Sequence, residues 1–199
     1  EERLAGTVVV EEEITLGTLF NRVQDVFLRI SDWIHEMQEK VIACESLQCI
    51  LDVSEPILGN TVNISDSALA LLAHTRHIEP LDDITKALVA NGFHPEAALQ
   101  KFRESNRFEV WDHTNGVFIN EHPNYCDFTT VSKVFNFRDT YFAHAVMVCD
   151  HRPLTPGLLD LFRIFAEVLQ SYIKREWDNK SSASHIYDSL LTDLLSGAV

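Results

Sequence analysis

Two neighbouring runs decide the fold: "DFTTVSKVFNF" (residues 127–137) and "TYFAHAVMVCD" (residues 140–150). Both are dense in Val, Phe, Tyr and Thr, side chains that suit a pleated, half-buried surface. Only "RD" separates them, so they read as the arms of a tight β-hairpin. Working outward, "GVFINE" (residues 116–121) reads as a third strand. "NTVNISD" (residues 60–66) is strand-like through Thr61, Val62 and Ile64, and Asp66 opens a turn. "ALALLAHT" (residues 68–75) fits a strand or a short helix; its shortness and the turn formers around it favour a returning strand. A short strand over Thr7 to Val10 stands apart, with no partner close behind it. Between the strands, "LDDITKALVANG" reads as a helix stopping at Gly92, and "HPEAALQKFRESN" as another with Pro95 in its first turn. The expected architecture is α+β: a five- to six-stranded antiparallel sheet flanked by helices.

Long amphipathic helices are expected at both ends. In "TLGTLFNRVQDVFLRISDWIHEMQEKVIA" (residues 15–43), Phe20, Val23, Phe27, Ile30, Ile34, Met37 and Val41 step 3-4-3-4-3-4, a heptad seam over about three heptads. Leu19, Val26 and Trp33 form a second line beside it. A stripe this wide packs against more than one neighbour. It serves either as an intramolecular packing surface or as a homodimer interface built on Phe20, Val23, Phe27, Ile30, Ile34 and Met37. A second helix, "ESLQCILDVSEPIL", should end near Pro56 or at Gly59. At the other end, "LTPGLLDLFRIFAEVLQSYIKREW" opens with Thr155 as N-cap and Pro156 in the first helical position. Its apolar residues Leu158, Phe162, Phe165, Leu169 and Tyr172 repeat the 4-3 step and could share in covering the first helix. "DNKSSAS" (residues 178–184) reads as a polar hinge. A closing helix follows, with Ile186, Tyr187, Leu190, Leu191, Leu194 and Leu195 on one face.

The chain has 199 residues, 46% hydrophobic and 23% charged, enough apolar mass for a core. Its 30 acidic and 16 basic residues give a formal net charge of -14. That excess repels phosphate backbones and anionic lipid, so the chain by itself is not expected to grip DNA or a membrane surface. The longest apolar runs fall short of a bilayer span, and "EERLAGTVVVEEE" lacks the basic start of a signal peptide, so a cytoplasmic location is expected. Cys44, Cys49, Cys126 and Cys149 include no Cys-x-x-Cys pair and read as free thiols.

No Gly-rich phosphate loop, nucleophile elbow or His-Glu-x-x-His motif is present. His113, His122, Cys126, His144, Cys149 and His151 include metal-ligating types, but their spacings match no standard zinc motif. A Cys126 nucleophile with His144 or His151 lacks a recognisable oxyanion site. No metal, cofactor or catalytic residue is therefore expected, and the chain does not read as an enzyme. His144 is the residue of interest. It lies between Ala143 and Ala145 in the most apolar strand, as a core histidine or as a polar contact inside a ligand pocket. Trp111, Phe118, Phe128 and Phe142 are the candidate apolar walls of that pocket, with core packing as the alternative for each.

The runs "TLGTLFNRVQDVFLRISDW" and "LQCILDVSEPILGNTVNISDSALALLAHT" resemble the sensory region of PucR-like bacterial transcriptional regulators. "VCDHRPLTPGLLDLFRIFAEVLQSYIKRE" is similar to that family's final strand, turn and exit helix. "YDSLLTDLLSG" resembles the short helix before its C-terminal helix-turn-helix. The resemblance spans residues 15–197, apart from "NRFEVWDHTNGVFINEHPNYCD". It implies a GAF- or PAS-like domain in a non-enzymatic, effector-responsive regulator of transcription. On this reading residues 1–14 are the remnant of a preceding segment, and 15–43 form a linking and dimerisation helix. Residues 44–179 form the sensory domain with its exit helix, and 180–199 lead to a DNA-binding domain outside the chain. The implied partners are a second copy of the chain, a small-molecule effector, and DNA through that further domain. The family supplies no ligand motif that maps onto these residues.

Overall fold

The computed structural model describes residues 10, 12–107, 109, 111, 114, 116–120, 127–137 and 140–196; of these, the side chains of 140 and 180–196 are not described. Helix α1 (Leu16–Ile42) starts where Thr15 Oγ1 accepts the Thr18 amide at 3.2 Å, satisfying one of the orphan donors of the first turn. Helix α2 (Leu47–Leu58) ends on Gly59, whose φ of 60° gives the left-handed turn that closes a helix C-terminus. Pro56 lies inside α2 rather than ending it. Strands β1 (Thr61–Asp66) and β2 (Leu71–His74) form a hairpin. The Asp66 side chain pins its turn by accepting the Ala68 and Ala70 amides, both at 2.9 Å. Helices α3 (Asp83–Asn91) and α4 (Glu96–Glu104) follow, then β3 (Val117–Asn120), β4 (Thr130–Phe137) and β5 (Thr140–Val148). Helix α5 (Pro156–Ser196) closes the described chain.

The five strands pair in the order β2-β1-β5-β4-β3, antiparallel throughout. This is the α+β architecture expected, with long helices at both ends. Of the short strand expected over Thr7 to Val10, residues 7–9 lie outside the described residues, and Val10 is exposed coil.

One sheet face carries the main core. Val62, Ile64, Val131, Phe135, Ala145 and Met147 project from the strands onto Trp33 and Met37 of α1, Ile50, Leu51 and Leu58 of α2, and Leu158, Phe162, Phe165 and Leu169 of α5. Polar atoms there are paired: Trp33 Nε1 donates to Ser54 Oγ at 3.1 Å, and Ser54 donates to the Ile50 carbonyl at 2.8 Å. An Arg175 guanidinium donor reaches the Val41 carbonyl and ties α5 to the end of α1.

Two expectations about the terminal helices change here. The stripe of α1 divides along its length. Phe20 (64% exposed), Val23 and Phe27 (70%) stand clear of the sheet, and Ile30 and Ile34 are half-buried against the core. Met37, counted above as interface, is wholly buried within the chain, as is Trp33 beside it. The stripe of α5 packs into the same core, where Leu158, Phe162, Phe165 and Leu169 lie with Trp33 and Met37, so it shares in covering α1. The hinge expected at residues 178–184 is absent, because α5 runs through it without interruption. Neither Gly nor Pro occurs between Gly157 and Gly197, and polar residues alone do not stop a helix.

Candidate functional site

The opposite sheet face has different chemistry. Helices α3 and α4, with the segment carrying Arg107 and Trp111, cover it incompletely. A smaller apolar cluster of Leu69, Ala98, Phe102, Trp111 and Val134 holds them in place. Beside that cluster lies a cavity of about 50 Å³, lined by Asn63, Asp82, Ile84, Thr85, His94, Phe102, Arg107, Trp111, Asn120, Thr130, Ser132, His144, Val146 and Val148. Strand alternation explains the lining. Asn63 pairs with Val146 and Val146 with Ser132, while Val148 pairs with Thr130, which places these side chains side by side on one face.

The polar wall is built, not incidental. Arg107, 5% exposed, donates from Nη1 to Asn120 Oδ1. That contact fixes the amide, and Asn120 Nδ2 donates to Thr130 Oγ1 at 3.2 Å and to Ser132 Oγ at 3.3 Å. All four residues are buried. Across the cavity, Asp82 caps α3, its oxygens accepting the Ile84 amide at 2.9 Å and the Thr85 amide at 3.0 Å. The positive end of the helix thus already serves this carboxylate.

The third wall is aromatic and imidazole. Trp111 stacks on His144 with ring centroids 4.8 Å apart, and Phe102 meets both His94 (5.0 Å) and Trp111 (5.7 Å) edge-on. The Tyr141 hydroxyl hydrogen-bonds His144 Nδ1. His94 Nδ1 is buried and has no hydrogen-bond partner among the described residues. Burial pushes the His94 pKa down to about 4. Burial, reinforced by His94, pushes that of His144 down to about 3. Both rings are therefore neutral near pH 7.

Of the five candidate ligand residues, Trp111 and His144 come together in this wall. Phe118 packs on the cluster around Trp111 but does not line the cavity. Phe128 is half-buried in the approach to β4, away from the lining. Phe142 faces the other way. A β-bulge skips it, since Phe135 pairs with Ala143 and Asn136 with Tyr141. The extra residue reverses the alternation, so Tyr141 joins His144 while Phe142 packs on Trp177 at 5.4 Å. Phe142 is therefore a packing residue of the helix-covered face.

His113, His122 and Cys126 lie outside the described residues. Cys149 is buried, and His151 is exposed, with Nε2 at 2.9 Å from the Glu79 carbonyl. Among the described residues, no group of three or more His, Cys, Asp or Glu side chains is placed to hold a metal ion. No helix among them is long and apolar enough to cross a membrane. The strand end after β5 instead makes a structural corner. Asp150 accepts the Thr61 hydroxyl at 2.7 Å and the Leu81 amide at 3.0 Å, while Asn60 Oδ1 accepts the amides of His151 (3.0 Å) and Arg152 (2.7 Å).

No family model matches the chain, and no curated protein matches it.

Proposed function

We propose that this chain is a signal-input and dimerisation domain of a bacterial transcriptional regulator of the PucR-like kind, acting without enzymatic chemistry. The observation that carries the reading is the cavity: a half-open space with both polar and aromatic walls between sheet and helices, on the face opposite the terminal helices. It is the feature that separates a ligand-sensing domain from a pure dimerisation module. The sequence resemblance supports the same reading independently.

The strands offer a route from cavity to helices. On β5, His144, Val146 and Val148 line the cavity, while Ala145 and Met147 between them pack in the core with α1, α2 and α5. A ligand seated on one face shifts the helices on the other only if it binds their two arrangements with different affinity. DNA contact belongs, in this reading, to a separate helix-turn-helix domain, in keeping with the net charge of -14 on this chain. The exposed apolar stripe of Leu16, Phe20, Val23 and Phe27 on α1 favours a second copy as partner. That stripe equally suits the alternative of a dimerisation module without a ligand.

Native mass spectrometry of the purified chain separates the two. The sensory reading expects a dimer that retains a small molecule, or gains one from a metabolite extract. A dimer whose cavity takes up nothing, and whose melting temperature no extract fraction shifts, leaves only the dimerisation module.

A further inference from the structure

The cavity wall carries one charge of each sign, and each is already engaged. Arg107 donates to Asn120 Oδ1 and makes a further interaction besides. Asp82 accepts the Ile84 and Thr85 amides. No other charged side chain among the described residues lines the cavity, and burial keeps the His94 and His144 rings neutral near pH 7. The formal charges of the wall therefore balance. A charged guest would lose its hydration and meet a guanidinium and a carboxylate together, so the wall offsets that loss for neither sign. The groups left uncommitted are themselves uncharged. His94 Nδ1 is buried without a hydrogen-bond partner among the described residues. Asn63, only 4% exposed, lines the same space, and its carboxamide makes no hydrogen bond to a described residue. A neutral imidazole and a carboxamide together offer both donors and acceptors.

We infer that the cavity takes a small uncharged molecule of the amide class, one that both donates and accepts hydrogen bonds, held by Asn63 and His94 beside the Trp111–His144 stack. The inference rests on the sensory reading and narrows it to a ligand class. Size limits the guest to about four or five non-hydrogen atoms, because about 50 Å³ corresponds to room for roughly three to five waters.

The test uses three planar probes of one shape: acetamide, which is uncharged, acetate, an anion, and acetamidinium, a cation. Binding to the full chain is followed at pH 7.5 by the histidine ring and Trp111 indole NMR signals. Acetamide should shift them saturably, and both ions should bind about tenfold more weakly or worse, because a balanced wall does not replace their hydration. Asn63→Leu, which removes the carboxamide, should weaken acetamide about tenfold. If that variant does not fold, Thr85→Val takes its place, since the Thr85 side chain lines the same cavity, and a severalfold weakening is expected. Binding of either ion as tight as that of acetamide, an unchanged acetamide affinity in the folded variant, or silence with all three probes overturns the amide assignment and leaves the sensory reading intact. A retained ligand that is ionic at neutral pH would likewise overturn the assignment while upholding that reading. The sensory reading itself stands or falls on the retained-ligand measurement above.

Discussion

Along β5, Ala145 and Met147 point into a core closed by three helices, while His144 and Val146, their immediate neighbours, turn toward a cavity walled by a guanidinium, amides and hydroxyls. The same pattern runs through β4, where Val131 and Phe135 face the core and Thr130 and Ser132 face the cavity. The helix-covered face is filled with large side chains in close contact. The cavity face is held by a smaller cluster and sets polar side chains beside a cavity of about 50 Å³. Under the proposed reading, stability and recognition are divided between two sides of one sheet, so each can be altered while the other is measured.

The largest expected effect falls on the helix-covered face. Phe162 is fully buried there, and Phe162→Ala should lower unfolding free energy by about 3–5 kcal/mol in urea titration. A loss below about 1 kcal/mol would mean that this face is not the stabilising one.

On the cavity face the expected effect is a pH dependence. His94 and His144 have folded pKa values of about 4 and about 3, both below the ordinary histidine value of 6.5. Between those values the unfolded chain binds protons that the folded chain refuses, so stability falls as pH drops below 6.5. Linkage sets the size at about 2 kcal/mol per histidine by pH 5. Unfolding measured from pH 7 to 5 should show the loss, and His94→Gln should remove roughly half of its slope. A flat profile over that window would contradict the burial of both rings.

A third contrast lies within α1. Phe27→Glu, on the exposed half, should convert a sedimenting dimer to a folded monomer, with stability lowered only by the concentration-dependent contribution of dimerisation. Met37→Glu, on the buried half, should prevent folding outright. If the native chain sediments as a monomer at tens of micromolar, the exposed stripe serves another purpose.

The smallest expected effect is at Ser65. Its hydroxyl is buried without a hydrogen-bond partner among the described residues. Ser65→Ala should therefore be neutral or stabilising by a few tenths of a kcal/mol in thermal unfolding.

The architecture was legible in the sequence because each element carries its own period and its own stops. The hairpin of β4 and β5, the Thr155 cap (its Oγ1 accepts the Leu158 amide at 3.1 Å) and the left-handed glycines Gly59 and Gly92 are all local signals. The cavity was half legible. Trp111 and His144 stood out as a ring and an imidazole among small or apolar neighbours. Asn63, Asn120, Thr130 and Ser132 did not, because alternating polar residues in a strand look like a solvent face until something is known to cover them. Arg107 gave no signal, since a lone cation in a polar stretch is ordinarily exposed. Phe142 misled because a one-residue bulge, invisible in composition, decides which way it points. The fate of Met37 depended on where along α1 the sheet begins, and a heptad pattern does not encode that.

Helix α5 has a mechanical consequence. Its 41 residues make a rod about 61 Å long, anchored to the sheet over its first half and continuous through a stretch that could have been a joint. The 19 residues beyond Trp177 extend about 28 Å, so tilting the anchored part by about 5° sweeps Ser196 through about 2.5 Å. Twist about the long axis is passed on as well, because no glycine or proline along the shaft lets it dissipate. Small strains at the sheet therefore arrive at the far end as larger displacements, as in a lever turning about a fulcrum.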